Sequence, residues 1–211
     1  MVLSESTSTG PQIPYRQIRA LFDDDTITVY QAYSAEIASA AVREQKLSAS
    51  PAFKLTRMTW IKPSWCWMMY RSGYSFKDER QERILALKMK HEHFHQLLSA
   101  ASVTSGGQLT AEDKKKPVRV QWDPERTPTL SALPYRSIQI GISSELSQTW
   151  VDKWITSIED VTPAARSLKA VLNERAKSEQ WILEDLVAMG LIPREEMYEI
   201  PGELKQALKM A

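Results

Sequence analysis

The stretch TITVYQAY, residues 26–33, decides how the fold can be built. It is rich in β-branched and aromatic residues and follows an acidic turn at residues 23–25, a pattern typical of a β-strand. Ser34 can cap the helix that we predict over residues 35–46, with Pro51 beyond its end. A strand that passes directly into a helix indicates a fold that combines both elements.

Further strands and helices follow along the chain. We predict strands at 57–61, 83–90, 118–122 and 136–142, a helix at 64–72 capped by Gly73, a helix around 94–101, and helices through the remainder. Strands that precede a helical C-terminal third favour an α+β fold. The expectation is a small antiparallel or mixed β-sheet of about five strands, split or continuous, with flanking helices.

Length and composition allow one globular domain. The 211 residues can bury a core without disulfides, and 43% of them are hydrophobic. We expect a disordered Ser/Thr-rich tail at 1–14, a single α+β domain at 15–201 and a C-terminal tail at 202–211.

Charge and cysteine content limit the function classes. The net charge of +1 gives no general attraction to polyanions, so any RNA binding would need a local patch. Cys66 is the single cysteine, which rules out an intrachain disulfide and a multi-thiolate zinc site. With the longest apolar run, 60–70, at about half a membrane span, we expect a cytoplasmic protein in a reducing compartment that does not contact membranes.

Known nucleotide motifs are absent. The sequence contains neither G-x-G-x-x-G nor G-x-x-x-x-G-K-[ST]. This argues against a Rossmann dehydrogenase and a P-loop nucleotidase.

Polar residues occur where the pattern predicts burial. Gln31 lies between apolar neighbours on its strand, and Ser137 and Gln139 share one face of the strand at 136–142. Gly141 leaves space there for a ligand or another part of the chain. These groups either bind a ligand or serve as structural links between the sheet and its loops.

Five arginines lie beside apolar or aromatic residues, and a guanidinium in that setting suits a phosphate or carboxylate. They are Arg19, Arg57, Arg71, Arg126 and Arg136. If several of them converge, an anionic ligand such as a nucleotide is the natural guest. The alternative is a set of structural ion pairs with acidic residues such as Asp123.

The segment Trp60-Ile61-Lys62-Pro63-Ser64 places a cation and a hydroxyl within an aromatic run. Such a group can hold an aromatic base and its phosphate. Ser64 can equally cap the next helix, with the aromatic residues forming core. The histidines at 91, 93 and 95 begin an amphipathic helix and Cys66 lacks an activating neighbour, so we expect no metal site and no thiol nucleophile.

Five blocks carry a resemblance to a known family. They are Ile18-Arg19-Ala20, the strand at 29–33, RMTWIKPSWCWMMYRSG at 57–73, VQWDPER at 120–126 and RSIQIG at 136–141. Over residues 15–201 the chain resembles the family called domain of unknown function 4291. The family is in turn similar to the ADP-ribosyltransferase fold, whose members bind NAD in a cleft of a split β-sheet.

The resemblance implies roles for particular residues. Arg19 or Tyr33 would hold the nicotinamide ribose, Ser64 or Tyr70 would take a second position, and Gln139 would stand where these enzymes carry a catalytic Glu or Gln. The last strand lacks the usual acidic pair, which favours RNA-directed or phosphate-directed transfer, or nucleotide binding alone. With the residue patterns, this gives Arg19, Tyr33 and Gln139 as catalytic candidates. The ligand-binding candidates are Gln31, Arg57, Trp60, Lys62, Ser64, Tyr70, Arg71, Trp122, Asp123, Arg126, Arg136 and Ser137.

Three functions remain open at this point. The first is a transferase that uses NAD or a related nucleotide. The second is a non-enzymatic nucleotide or RNA sensor, and the third is an interaction domain in which the aromatic block is core.

Overall fold

The computed structural model of the protein describes residues 13–104, 109–175 and 183–210. In this part of the chain seven α-helices and ten strands form an α+β fold, as the sequence predicts. The strands are β1 (Arg16–Gln17), β2 (Arg19–Ala20), β3 (Thr26–Tyr33), β4 (Thr59–Ile61), β5 (Arg83–Lys90), β6 (Ala101–Val103), β7 (Val118–Arg126), β8 (Ala132–Ile142), β9 (Ile155–Asp160) and β10 (Glu196–Met197). The helices are α1 (Ala35–Glu44), α2 (Trp65–Ser72), α3 (His91–Ser99), α4 (Ser144–Thr149), α5 (Thr162–Arg175), α6 (Leu183–Ala188) and α7 (Gly202–Ala207).

The strands form three sheets. In the first, β5 is the central strand and pairs antiparallel with β3 and β9. In the second, β7 and β8 form a long antiparallel hairpin; β6 adds to β7 in parallel, while β1 and β4 lie along the other edge of β8. The short strands β2 and β10 make a third pair.

The first sheet is covered on both faces because its side chains alternate. Val29 and Leu87 belong to one buried cluster, with Phe94 of α3 and the alanines of α1. Tyr30 and Ala86 belong to a second cluster, with α2, α5 and α6. The near-continuous apolar run of β3 and β5 therefore reflects a sheet buried on both sides.

The hairpin β7–β8 separates core from cleft by the same alternation. Val118, Val120 and Trp122 point into the core, opposite Ile138, Ile140 and Ile142 of β8. On the other face Gln121, Asp123 and Gln139 are polar and partly exposed, and Gln121 stands directly opposite Gln139. One face of the hairpin is therefore available to a ligand.

The first two sheets meet at a single bridge between described residues. The N–H of Tyr30 donates to the carbonyl of Lys62 at 2.7 Å, and the N–H of Lys62 donates back at 3.2 Å. Lys62 follows β4, which is paired to β8. Side-chain hydrogen bonds from Gln31 to Thr59 and Trp60 continue the link from β3 to β4, and the cleft described below is lined by residues of both sheets.

Local sequence signals predicted several elements correctly. The strand at 26–33 is β3, and the predicted helix at 64–72 is α2, which Ser64 caps by accepting from the N–H of Trp67. Gly73 ends α2 with φ of 57°, the left-handed conformation expected of a glycine cap.

Other predictions were wrong. The C-terminal third is not entirely helical: the apolar stripe ending at Ile155 and Ile158 runs through α4 and a π-helical turn (Trp150–Trp154) and then becomes β9. The spacing of Ile155 and Ile158 is compatible with a helix or a strand, and the segment is a strand because it pairs with β5. The predicted helix at 94–101 ends early, because Ala101 begins β6.

The segments expected to be tails, 1–14 and 202–211, are described to different extents by the structure. Residues 1–12 lie outside the described residues. In the segment 202–211, Gly202–Ala207 form α7 and Leu208 is buried in the first cluster, where its carbonyl accepts from the Trp122 indole N–H at 3.0 Å. Among the described residues, no helix is long and apolar enough to cross a bilayer.

Gly141→Val should destabilise the protein by about 1–3 kcal/mol through overpacking. A Cβ at Gly141 would lie 2.9 Å from the indole of Trp60, its cross-strand neighbour, and 3.0 Å from the sulfur of Met58. Denaturant unfolding measures the loss. Gly202→Ala is the control, since a Cβ there meets nothing within 4 Å. Equal stability of the Gly141 variant and the wild type would show that Trp60 is free to move.

Candidate functional site

The main cleft is lined by residues of both the first and the second sheet. It has a volume of about 670 Å³ and receives side chains from β3, the 52–62 segment, α2, the 80–81 turn and the β7–β8 hairpin. It contains seven of the residues proposed from the sequence: Gln31, Tyr33, Arg57, Trp60, Lys62, Arg71 and Gln139.

The lining of the cleft is basic. Lys54, Arg57, Lys62, Arg71 and Arg80 line it, whereas no Asp or Glu of the described residues does. Arg80 lies 3.5 Å from Asp78, and the guanidinium of Arg71 donates to Gln81 at 2.6 Å. The cations at positions 54, 57 and 71 have no carboxylate within ion-pair distance in the described structure. The cleft can therefore accept negative charge.

A closed hydrogen-bond network forms one wall. The Gln31 amide donates to the Thr59 hydroxyl at 2.7 Å and to the Trp60 carbonyl at 3.1 Å, and the Tyr33 hydroxyl donates to the Gln31 amide oxygen at 3.0 Å. Burial raises the pKa of Tyr33 to about 12. Gln31 is thus held by its neighbours, and Tyr33 is a neutral hydrogen-bonding group.

Lys62 lies at the inner end of the cleft and is fully buried. Its Nζ atom is 3.6 Å from Asp123 Oδ2, 3.5 Å from the Ser137 carbonyl and 4.0 Å from the centre of the Trp67 ring. Burial lowers its pKa to about 7, although Asp123 and Glu125 oppose the shift. Asp123 and Ser137 thus adjoin the cleft through Lys62.

Polar residues of the β7–β8 hairpin follow one another along the cleft face. Gln121 pairs with Gln139, and the next pair on the same face in one direction is Asp123 with Ser137. In the other direction Gly141 underlies the Trp60 ring. Side chains two residues apart on a strand are separated by about 7 Å, so the face offers an aromatic surface, two amides and a cation in succession.

A second polar group lies behind α2, outside the cleft lining. The Ser64 hydroxyl donates to Glu125 at 2.7 Å, and the Trp65 N–H donates to Glu195 at 2.5 Å. Burial, and the charge of Glu125, raise the pKa of Glu195 to about 8. Ser64 therefore has the structural role of a helix cap.

Five more candidates, Arg19, Tyr70, Trp122, Arg126 and Arg136, also lie away from the cleft lining. Arg126 stacks on Tyr70 at 3.7 Å, and Arg19 donates to the carbonyl of Glu195 at 2.9 Å. The Arg136 guanidinium donates to Tyr15 and to the carbonyl of Trp122, on the core side of the hairpin. Trp122 itself is buried. The structure brings these five residues to positions that contribute to packing and loop geometry.

The histidines and the cysteine have structural surroundings. The hydroxyl of Tyr198 lies 2.8 Å from His91 Nδ1 and 3.2 Å from His95 Nε2, and His93 stacks on Trp154. In the described part of the chain no group of three potential ligands could hold a metal ion. Burial raises the pKa of the Cys66 thiol, which disfavours the reactive thiolate.

Sequence reasoning missed several residues of the cleft. These are Lys54, Thr59, Arg80, Gln81 and Gln121. A signal was available for Gln121, because the side chains of a strand alternate between its two faces. With the neighbouring Trp122 in the core, Gln121 must point to the other face, where it pairs with Gln139. For Arg80 and Gln81 no local pattern exists, since a turn between α2 and β5 brings them to the cleft.

Comparison with protein families identifies the family of the chain. The family model described as domain of unknown function (DUF4291) matches residues 17–198. The chain belongs to this family, as the sequence blocks indicated. Among curated proteins, no sequence matches it.

Lys62→Met should flatten the pH dependence of stability between about pH 7 and 10.5. The folded pKa of Lys62 is about 7 and its ordinary value is 10.5, so in this window the unfolded chain binds more protons. Wild-type stability therefore gains up to about 1.4 kcal/mol per pH unit from this group as pH rises, and loses it as pH falls to 7.

The difference in unfolding free energy between the wild type and this variant, measured by urea titration from pH 6 to 10, isolates the effect. Lys46→Met is the control, because Lys46 is about half exposed and pairs with Asp152. Parallel curves for the wild type and Lys62→Met would contradict the lowered pKa.

Proposed function

We propose that the cleft binds NAD or a related anionic nucleotide, and that the protein is a transferase that uses this nucleotide as a donor, in the manner of ADP-ribosyltransferase-like enzymes. The observation that carries the proposal is the lining of the cleft: five basic side chains and, among the described residues, no carboxylate. Nucleotide phosphates suit such a site because guanidinium groups form paired charge-assisted hydrogen bonds with them.

The aromatic and amide side chains support a base-containing ligand. Tyr33, Phe53, Trp60 and Trp67 line the same cleft as the cations. The cleft volume of about 670 Å³ lies within the range of about 300–1,000 Å³ that is usual for small-molecule and cofactor sites. A cleft lined by two separate sheets is also in keeping with the resemblance to the ADP-ribosyltransferase fold, whose members bind NAD in a cleft of a split β-sheet.

Of the three catalytic candidates, two support the proposal by position. Tyr33 and Gln139 line the cleft, and Arg19 does not. In the proposed transfer the bond between the ribose C1′ and the nicotinamide nitrogen breaks, and a bond from C1′ to an acceptor oxygen forms. Nicotinamide leaves with the bonding electrons, and the acceptor hydroxyl releases its proton.

A second candidate function is a non-enzymatic nucleotide or RNA sensor. The specific observation in its favour is the lack of a carboxylate among the described lining residues, because a developing positive charge at C1′ is usually stabilised by one. The sensor would use the same cleft, so binding and turnover must be measured separately.

Arg57→Ala and Arg71→Ala should each weaken binding of NAD or ADP-ribose about tenfold to a hundredfold. Neither guanidinium has a carboxylate partner among the described residues, and both are exposed, so melting temperatures should change little. Isothermal titration calorimetry measures the affinities. Arg43→Ala is the matched control, an exposed arginine of α1 that pairs with Glu44. Unchanged affinity in both cleft variants would contradict the proposal that Arg57 and Arg71 bind the phosphates.

Incubation with NAD should release nicotinamide faster than a blank without protein, and the Arg57→Ala/Arg71→Ala double variant should lose this activity. NAD labelled in its adenylate phosphate reports whether the label passes to RNA, to protein or to inorganic phosphate. Binding of NAD without nicotinamide release or label transfer would reject the transferase and support the sensor.

A further inference from the structure

The cleft contains four glutamines, and their hydrogen bonds divide them into two kinds. Gln31 is bonded to Thr59, Trp60 and Tyr33. Gln81 accepts from Arg71 and donates to Asp78 at 2.7 Å. The side-chain amides of Gln121 and Gln139, by contrast, form no hydrogen bond with any described residue, although each is partly buried and lines the cleft.

The positions of Gln121 and Gln139 are fixed by the sheet. They are directly opposed in the β7–β8 ladder, so their amides emerge side by side on the cleft face. Each amide offers one acceptor oxygen and an NH₂ group with two donors. Two such groups on a rigid hairpin form a short row of donors and acceptors that points at the ligand space.

An aromatic surface lies beside this row. The Trp60 ring rests over Gly141, which is two residues from Gln139 on the same face of β8, and it also lines the cleft. A flat heteroaromatic ring in contact with the indole would have its edge within reach of the amides. Lys62 lies on the opposite side of the amide pair, near Asp123 and Ser137.

We propose that Gln121 and Gln139 form the specificity pair of the cleft and read a heteroaromatic edge that carries an NH₂ donor next to an acceptor. This inference rests on the proposed nucleotide site and narrows its ligand. Glutamine recognises adenine through such a paired donor and acceptor. The nicotinamide carboxamide presents the same chemistry, so either half of NAD is a suitable partner.

Three dinucleotides that differ by one group test the inference and identify the half that is read. Nicotinamide hypoxanthine dinucleotide replaces the adenine NH₂ by oxygen, and nicotinic acid adenine dinucleotide replaces the carboxamide by a carboxylate. One of the two should bind the wild type about tenfold or more weakly than NAD, as expected for one lost paired contact. Gln121→Leu and Gln139→Leu should each lower the affinity for NAD by a similar factor. They should also remove the difference in affinity between NAD and the more weakly bound dinucleotide.

Gln96→Leu is the matched control, since Gln96 is exposed on α3 and does not line the cleft. Melting temperatures verify that the variants fold. Equal binding of all three dinucleotides to the wild type, or discrimination that survives in both leucine variants, overturns the specificity pair while leaving the nucleotide site intact. Failure of all three dinucleotides to bind the wild type overturns both proposals.

Discussion

The backbone bridge between Tyr30 and Lys62 is the constraint on which the rest of the structure depends. Its two hydrogen bonds join the β3–β5–β9 sheet to the segment that follows β4, and β4 is paired to β8. The side-chain amine of Lys62 is buried and contacts the β7–β8 hairpin near Asp123 and Ser137. Lys62 therefore joins β3 to the second sheet through its backbone and contacts the β7–β8 hairpin through its side chain. The hydrogen bonds from Gln31 to Thr59 and Trp60 extend this connection along the wall of the cleft.

Strand alternation lets one hairpin serve both core and cleft. Trp122 and Ile138 face the core, while Gln121 and Gln139, one position away, face the cleft. Because the side-chain period of a strand is two residues, a register slip of one would bury the amides and expose the apolar side chains. The hydrophobic face thus positions the polar face, and the free energy of core burial maintains the order of the cleft residues.

The sequence predicted elements whose causes are local. TITVYQAY and the Ser64 to Gly73 segment contain their own propensity and capping signals, and both formed as expected. The short strands β6 and β10 have no recognisable pattern of their own, because they form through pairing with partners that are distant in the chain. The cleft was only partly predictable for a related reason. Polar residues in apolar surroundings could be recognised from the sequence, but their partners could not, because the partners of Gln31 and Ser64 lie 28 and 61 residues away in the chain.

The electrostatic arrangement would couple the proposed binding of an anion to the protonation of Lys62. The chain has nearly equal numbers of acidic and basic residues, yet five basic side chains and, among the described residues, no carboxylate line the cleft. Asp123 and Asp78 lie just behind the lining, next to Lys62 and Arg80. Positive charge is therefore concentrated in the cleft without a large net charge. With a pKa of about 7, Lys62 is only partly charged at neutral pH. An anion in the cleft favours the charged amine and raises this pKa, so by linkage protonation of Lys62 strengthens the binding of the anion by the same free energy.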